Sequence, residues 1–400
     1  VKIGKLPATV VAIATYVVAS GIFTQSGVVL EPAAVRFHTS LADTAVLFSS
    51  ASAGNLAGML VSTVIVALVS IRRILIGAYA CLIVGVAMIV GSSHLALASG
   101  AMFLIGLGVG TGLSAGAVIL AKLYVDRARA VAFLSTDCAF SATGFVIPAV
   151  AAAAVSAHWI WPTGYVLVAG IALVTLVAGL TITLPATGRA RRDALAAEPV
   201  QSPRVFVTIA LFAAGVVCYI IGQTTFTIWA PAVLHDVFHA SSLQSGSIVS
   251  AFFGPSSLGL VTAAFVVSRL QPRAVLLFAL VMGAVLTFAL ASISSVGVFF
   301  VLTFAFGFTT TCMYKLMISI GSEQLSGSPP PLVTALLLCS GIGTTLAPLL
   351  SGWLVKRQGL HASLWLAFAF HAATLVIVCA ALANESLVRR ASRLDAAGRS

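Results

Sequence analysis

Twelve apolar runs, each about the length of a membrane-crossing helix, follow one another along the chain with only short polar breaks between them. They cover roughly 6–30, 44–69, 74–93, 95–122, 130–155, 160–184, 204–234, 242–268, 274–293, 296–321, 331–354 and 363–383. About 20 mostly apolar residues span a bilayer as a helix. A barrel would show alternating stretches of about ten residues, which these unbroken runs do not resemble. In lipid the backbone must satisfy its own hydrogen bonds, so helices follow. Residues are 60% hydrophobic and only 8% charged, against about 25% charged in a soluble domain. So much apolar surface cannot be hidden inside a globule of this size, and the partner it requires is the lipid bilayer. The first run follows Lys2 and Lys5 as a signal peptide would. It is longer than the 7–15 residues of a signal core, and it reads as the first span.

The polar breaks set the organisation. One is long, Pro185 to Pro203, "PATGRARRDALAAEPVQSP", and it joins six spans to six. The expected division is a first six-helix bundle over 1–184, a linker over 185–203, a second bundle over 204–385 and a tail over 386–400. With the N-terminus in the cytoplasm, the inner loops receive Lys2, Lys5, Arg72, Arg73, Lys122, Arg127, Arg129, Arg189, Arg191, Arg192, Arg204, Arg269, Arg273, Arg389, Arg390, Arg393 and Arg399. The outer loops receive Arg36, Lys356 and Arg357. Positive charge accumulates on cytoplasmic loops, so both termini are expected inside a bacterial inner membrane. The same bias accounts for the formal charge of +11 without any nucleic acid. Trp159, Trp161, Trp229, Trp353 and Trp365 all fall near outer ends of spans, where interfacial tryptophans belong. The cysteines, Cys81, Cys138, Cys218, Cys312, Cys339 and Cys379, lie within apolar runs without metal-site spacing and read as small hydrophobes.

The two halves repeat at an offset near 200 residues. "EPAAVRFHTSLADTAV" (31–46) is similar to "APAVLHDVFHASSLQSGSIV" (230–249), and "CAFSATGFVIP" (138–148) answers "CSGIGTTLAP" (339–348). Six spans plus six, a basic linker and two similar halves resemble the major facilitator superfamily over essentially the whole chain. "STDCAFSATGFVIPAVAA", "CYIIGQTTFTIWAPAVL" and "IGSEQLSGSPPPLVTALLLCSGIGTTLAPLLSG" resemble the TsgA-type transporters, relatives of the fucose–galactose–glucose proton symporters. The resemblance implies an all-α membrane protein. Its twelve transmembrane helices form two pseudo-symmetric six-helix bundles that rock about a central cavity. The loop between spans 2 and 3, "LVSIRRIL", departs from the superfamily pattern: it has the arginines but neither the aspartate nor the glycines.

Polar residues inside the spans are the candidates for transport. Of ten acidic residues, Glu31, Asp43, Asp126, Asp193, Glu198, Asp236, Glu323, Glu385 and Asp395 fall in loops or at span ends. Asp137 lies well inside a span, eight residues past Arg129, about 12 Å at 1.5 Å per residue. Intramembrane acids are costly, face cavities or partners, and serve proton relays. Burial disfavours the charged carboxylate and a nearby cation favours it, so such a group can switch protonation as its surroundings change. The alternative is a structural acid that caps a kinked backbone near Pro148. Lys315 is the cation at similar depth, with snorkelling to the interface as its alternative. In the repeat, Lys315 aligns with Ser114 and Asp137 with Leu338. Each half therefore holds one charge its twin lacks, and the two charges are opposite. The resemblance places spans 5 and 8 between the halves and spans 4 and 10 on the cavity, so a pair across the halves is the expectation.

Substrate contacts are expected from Gln25, Asn55, Gln223, Thr224 and Thr227, whose amides and hydroxyls suit hydroxylated or zwitterionic solutes. Tyr16, Tyr219, Tyr314 and Trp229 could supply stacking faces. The alternative is that they tie helices together by hydrogen bonds. The glycines of "GLGVGTGLSAG" (106–116) lack the Gly-Lys-Ser/Thr ending of a phosphate loop and read as close helix packing. "HDVFH" (235–239) has metal-compatible spacing but is read as an outer loop; no metal and no cofactor are expected. The reading is a monomeric secondary transporter, coupled to protons, that takes up a small polar solute. A proton-driven exporter of toxic or drug-like compounds is the alternative. An intramembrane enzyme would need an HExxH, a GxSG or paired aspartates, and none occurs.

Overall fold

The computed structural model describes residues 5–124, 126–185, 203–267, 269–325 and 330–397. The chain forms helices α1 (Lys5–Thr24), α2 (Ser26–Phe37), α3 (Leu41–Thr44), α4 (Val46–Leu68), α5 (Ile71–Gly91), α6 (Leu95–Leu123), α7 (Asp126–Ser156) and α8 (Thr163–Thr181) in its first half. The second half contains α9 (Pro203–Ala232), a π-helical turn (Val233–Val237), α10 (Ser242–Val267), α11 (Pro272–Ser292), α12 (Val296–Thr310), α13 (Cys312–Ser322), α14 (Pro330–Gln358) and α15 (Ala362–Ala397). Among the described residues, twelve stretches are long and apolar enough to cross a membrane, as the sequence predicts. Short connections make successive spans antiparallel. Residues 5, 185, 203 and 397 therefore lie on one face, here the terminal face; the opposite one is the far face. The linker expected at 185–203 falls almost wholly outside the described residues.

Two spans read as continuous in the sequence are broken in the structure. The first breaks at Gln25, between α1 and α2, where the Gln25 carbonyl accepts from both Val28 N–H and Val29 N–H. The tenth breaks at Thr311, between α12 and α13. There the hydroxyls of Thr309, Thr310 and Thr311 each donate to the carbonyl four residues back, at 2.7, 2.6 and 2.6 Å. Such back-bonding bends helices. At the other end of the chain, α15 runs on to Ala397, past the tail boundary expected at 386.

Within each half, backbones approach closely at glycines. A Cβ on Gly106 would collide with the Ala51 carbonyl, binding α6 to α4; one on Gly307 would collide with the Phe252 carbonyl, binding α12 to α10. Small residues permit this kind of packing between membrane helices. The repeat is visible again where spans end on the far face. His38, His158, His239 and Gly359 have φ of 53°, 58°, 56° and 86°. His38 and His239 close repeat-related spans, and so do His158 and Gly359. At His158 the cap is complete: its N–H donates to Val155 O and the Trp159 N–H to Ala154 O, both at 3.0 Å.

The halves meet along α2 against α9, α7 against α10 and α4 against α14. Gly27 faces the Thr227 and Ile228 carbonyls so closely that no side chain fits. The tryptophans divide. Trp159, Trp353 and Trp365 are exposed, as an interfacial belt requires. Trp161 and Trp229 are turned inward instead; Trp161 packs edge-on against Phe37 and Tyr165.

Candidate functional site

The break at Thr311 starts α13 just before Tyr314 and Lys315. Lys315 Nζ reaches Asp137 Oδ1 of α7 at 3.0 Å, an ion pair between the two bundles. Both residues sit nearer the terminal face; at 1.5 Å per residue, Lys315 is about 10 Å from the end of α13. The Lys315 side chain is 44% exposed and that of Asp137 19%. The pair lies at the seam between the bundles. Lys315 Nζ also lies 5.1 Å from the centre of the Tyr314 ring, within cation–π range. The Tyr314 hydroxyl donates to Ser340 Oγ of α14 at 3.2 Å. Tyr16 of α1 completes the group, close to Asp137, Lys315, Tyr314 and the Thr136 hydroxyl. Four spans, the first, fifth, tenth and eleventh, thus contribute to one polar cluster.

The other predicted contacts are not gathered there. Gln25 is fully buried; its Nε2 donates to Gly21 O at 2.7 Å, and its Oε1 presses on Gly164 of α8 with no hydrogen-bond partner among the described residues. It faces into the first bundle. Asn55 is 9% exposed, and its backbone packs on Gly106 and Gly110 of α6. Trp229 is fully buried, and its Nε1 donates to Ser351 Oγ at 2.8 Å within the second bundle. Gln223, Thr224 and Thr227 are half-buried on α9. The Thr227 hydroxyl donates to Thr224 O at 3.1 Å, while the Gln223 amide has no partner among the described residues. Tyr219 is buried, donating to Thr310 O at 3.1 Å.

Three features escaped sequence reasoning. His371 of α15 is buried, edge-on to Tyr219 and Phe306, with Nδ1 2.8 Å from Ala367 O and Nε2 without a partner among the described residues. A histidine in the middle of an apolar run was the signal for it. Glu385, read as a solvated span-end charge, is instead buried in a bidentate pair with Arg273 at 2.6 and 3.0 Å. Gln324 adds a third bond to it at 3.1 Å. Among the described residues, the corresponding arginine of the first half, Arg72, finds only the Ile182 carbonyl, at 3.1 Å. On the far face the π-helical turn swings His235 toward Glu31 of the other half, Nδ1 to Oε2 3.5 Å, with Asp236 at 2.9 Å. Beside it opens a groove of about 630 Å³ that includes Glu31, Arg36, Trp159 and Pro231 and none of the predicted site residues.

Twelve spans in two repeated bundles, with a polar cluster across their junction, are the framework of a membrane transporter. The Major Facilitator Superfamily family model matches residues 11–329 and again 211–397, and the chain belongs to that superfamily. It is 25% identical over 360 residues to a protein named TsgA homolog of Erwinia tasmaniensis, covering 90% of this chain and 91% of that one. It is 24% identical over 378 residues to a TsgA homolog of Yersinia pestis, covering 94% and 95%. The fold is similar to that of the nucleoside transporter NupG, with a TM-score of 0.71 at 14% identity over 95% of this chain and 99% of the other. It is also similar to a D-xylose-proton symporter, with a TM-score of 0.74 at 14% identity over 95% and 97%.

Proposed function

We propose that this chain is a proton-coupled importer of a small polar solute in a bacterial inner membrane, with its terminal face in the cytoplasm. Bundles 1–184 and 204–385 rock about the site between them, joined by the 185–203 linker. Asp137 exchanges the proton, and Lys315 is its partner in one state. The observation that supports this is the 3.0 Å pair between bundles. While the pair holds, Asp137 stays ionised and the halves are tied. Once the pair parts, an isolated carboxylate in an apolar surround is disfavoured and protonation follows. The names of the solved neighbours, a sugar–proton symporter and a nucleoside transporter, favour uptake of hydrophilic cargo over export of apolar compounds. Tyr314 and Tyr16 are the side chains best placed to meet it.

The test is proton uptake into dye-loaded proteoliposomes, driven by sugars, nucleosides, amino acids and carboxylates in turn. Asp137→Asn is expected to abolish solute-driven proton movement. Lys315→Ala is expected to move the pH profile toward higher pH, because the acid loses the charge that keeps it ionised. A wild-type rate and profile in Asp137→Asn would return Asp137 to a structural role. Labelling of cysteines placed at Arg191 or Arg192 from the periplasmic side would reverse the proposed orientation.

A further inference from the structure

We infer that the solute is a small monocarboxylate, which takes the place of Asp137 on Lys315 and travels with one proton. This rests on the proton-coupled reading above and adds the charge of the cargo to it. Among the described residues, Lys315 and Asp137 are the charged pair of the cluster, and together they are neutral. Protonating Asp137 breaks that balance and leaves the Lys315 ammonium alone at membrane depth, where an unpaired charge is strongly disfavoured. A neutral solute cannot restore the balance. A carboxylate can: the N–H···O bond from Lys315 to Asp137 is exchanged for one to the solute, and a proton from solution goes to the freed Asp137 oxygen. The site is neutral before and after, and one anion and one proton occupy it together.

The geometry favours this exchange. Of the two partners, Lys315 is the more open, 44% against 19%, so an arriving solute meets the cation before the acid. The departing group is itself a carboxylate, so its replacement inherits the same donor at the same place. The other groups nearby among the described residues are hydroxyls, those of Tyr314, Tyr16 and Ser340; the Tyr314 proton now goes to Ser340 and the Ser340 proton to Leu337 O, and rotation of either hydroxyl would turn it to an arriving anion. The Tyr314 ring, beside the ammonium, offers an apolar face for the solute's carbon skeleton.

The experiment compares solutes matched in size and differing in charge: lactate with lactamide, benzoate with benzamide, and gluconate with glucose. Thermal shift on the purified protein reads binding, dye-loaded proteoliposomes read proton uptake, and solid-supported membranes read current. At least one carboxylate is expected to stabilise the protein and drive proton uptake without net current, and its neutral partner to do neither. Lys315→Gln should lose that thermal shift and Lys315→Arg should keep it. Inward current and Asp137-dependent proton uptake driven by a neutral member would overturn the inference while leaving proton coupling intact. So would a set in which no carboxylate gives a Lys315-dependent shift. Carboxylate-driven proton uptake that persists in Asp137→Asn would instead overturn the role of Asp137.

Discussion

Lys356 Nζ at the end of α14 lies 2.8 Å from Asp43 Oδ1 in α3, joining the second half to the first on the far face. Asp43 is itself held by Ser40, whose hydroxyl donates to its Oδ2 at 2.7 Å. Both partners are about half exposed, 63% and 47%. Exposed pairs contribute about 0.2–1 kcal/mol. Asp43→Asn is therefore expected to leave thermal stability almost unchanged. Because the pair spans the halves, its loss should still shift the balance toward far-face opening by about 1.4- to fivefold. Spin labels at positions 38 and 358 would read that shift as a longer-distance population.

Arg273 and Glu385 should behave differently. Glu385 is buried, and Arg273 is its bidentate partner. Removing one member of a buried pair costs about 3–5 kcal/mol. Arg273→Ala should lower the unfolding temperature strongly, and Gln324→Ala, which removes one neutral donor, should lower it less. Equal effects would mean that the guanidinium is not what stabilises the acid.

Trp229 should prove a strut. Trp229→Phe loses the bond to Ser351 and some buried volume, an expected cost of about 1–3 kcal/mol. Binding of whichever solute the thermal-shift screen identifies should be unchanged. Tyr314→Phe should show the reverse, near-normal stability with weakened binding. Isothermal titration beside thermal unfolding separates the two outcomes.

The three histidines at positive φ are exposed, and a left-handed conformation costs a non-glycine residue about 1 kcal/mol. Gly359 occupies the position equivalent to His158 without that cost. His158→Gly is therefore expected to raise stability by about 0.5–1 kcal/mol. A lower unfolding temperature would mean that the imidazole has a role the cap geometry does not explain.

The number of spans, the two bundles and the two opposite charges were legible in the sequence because each is a local departure from apolar monotony. Asp137 and Lys315 stood out against their runs, and their absence from the twin positions pointed to a pair. What was not legible depended on which way a side chain faces. Gln25 and Trp229 have the right chemistry at the right depth, yet both turn into their own bundles, because a few tens of degrees of helix rotation decide between cavity and core. The break at Gln25 was hidden for the same reason: a run of small and polar residues reads as one helix until tertiary packing bends it. Glu385 looked like a span-end charge because its partner, Arg273, lies more than a hundred residues away.

Gly106 and Gly100 offer a direct contrast within one helix. A Cβ at Gly106 meets the Ala51 carbonyl, whereas a Cβ at Gly100 meets nothing within 4 Å. Gly106→Ala should sharply reduce folded yield, and Gly100→Ala should preserve it or improve it slightly. Size-exclusion profiles of the two variants in detergent would decide.

The same glycine contacts, present in both halves at Gly106 and Gly307, have a consequence for evolution. At Gly106 the scaffold contact is with backbone alone, and at Gly307 with the Phe252 backbone and the Ser256 hydroxyl, whereas the proposed cargo contacts are a handful of others at positions 16, 137, 314, 315 and 340. Because the two sets do not overlap, cargo preference can drift through a few substitutions while the moving parts stay unaltered, and a duplicated frame can be retuned without being rebuilt.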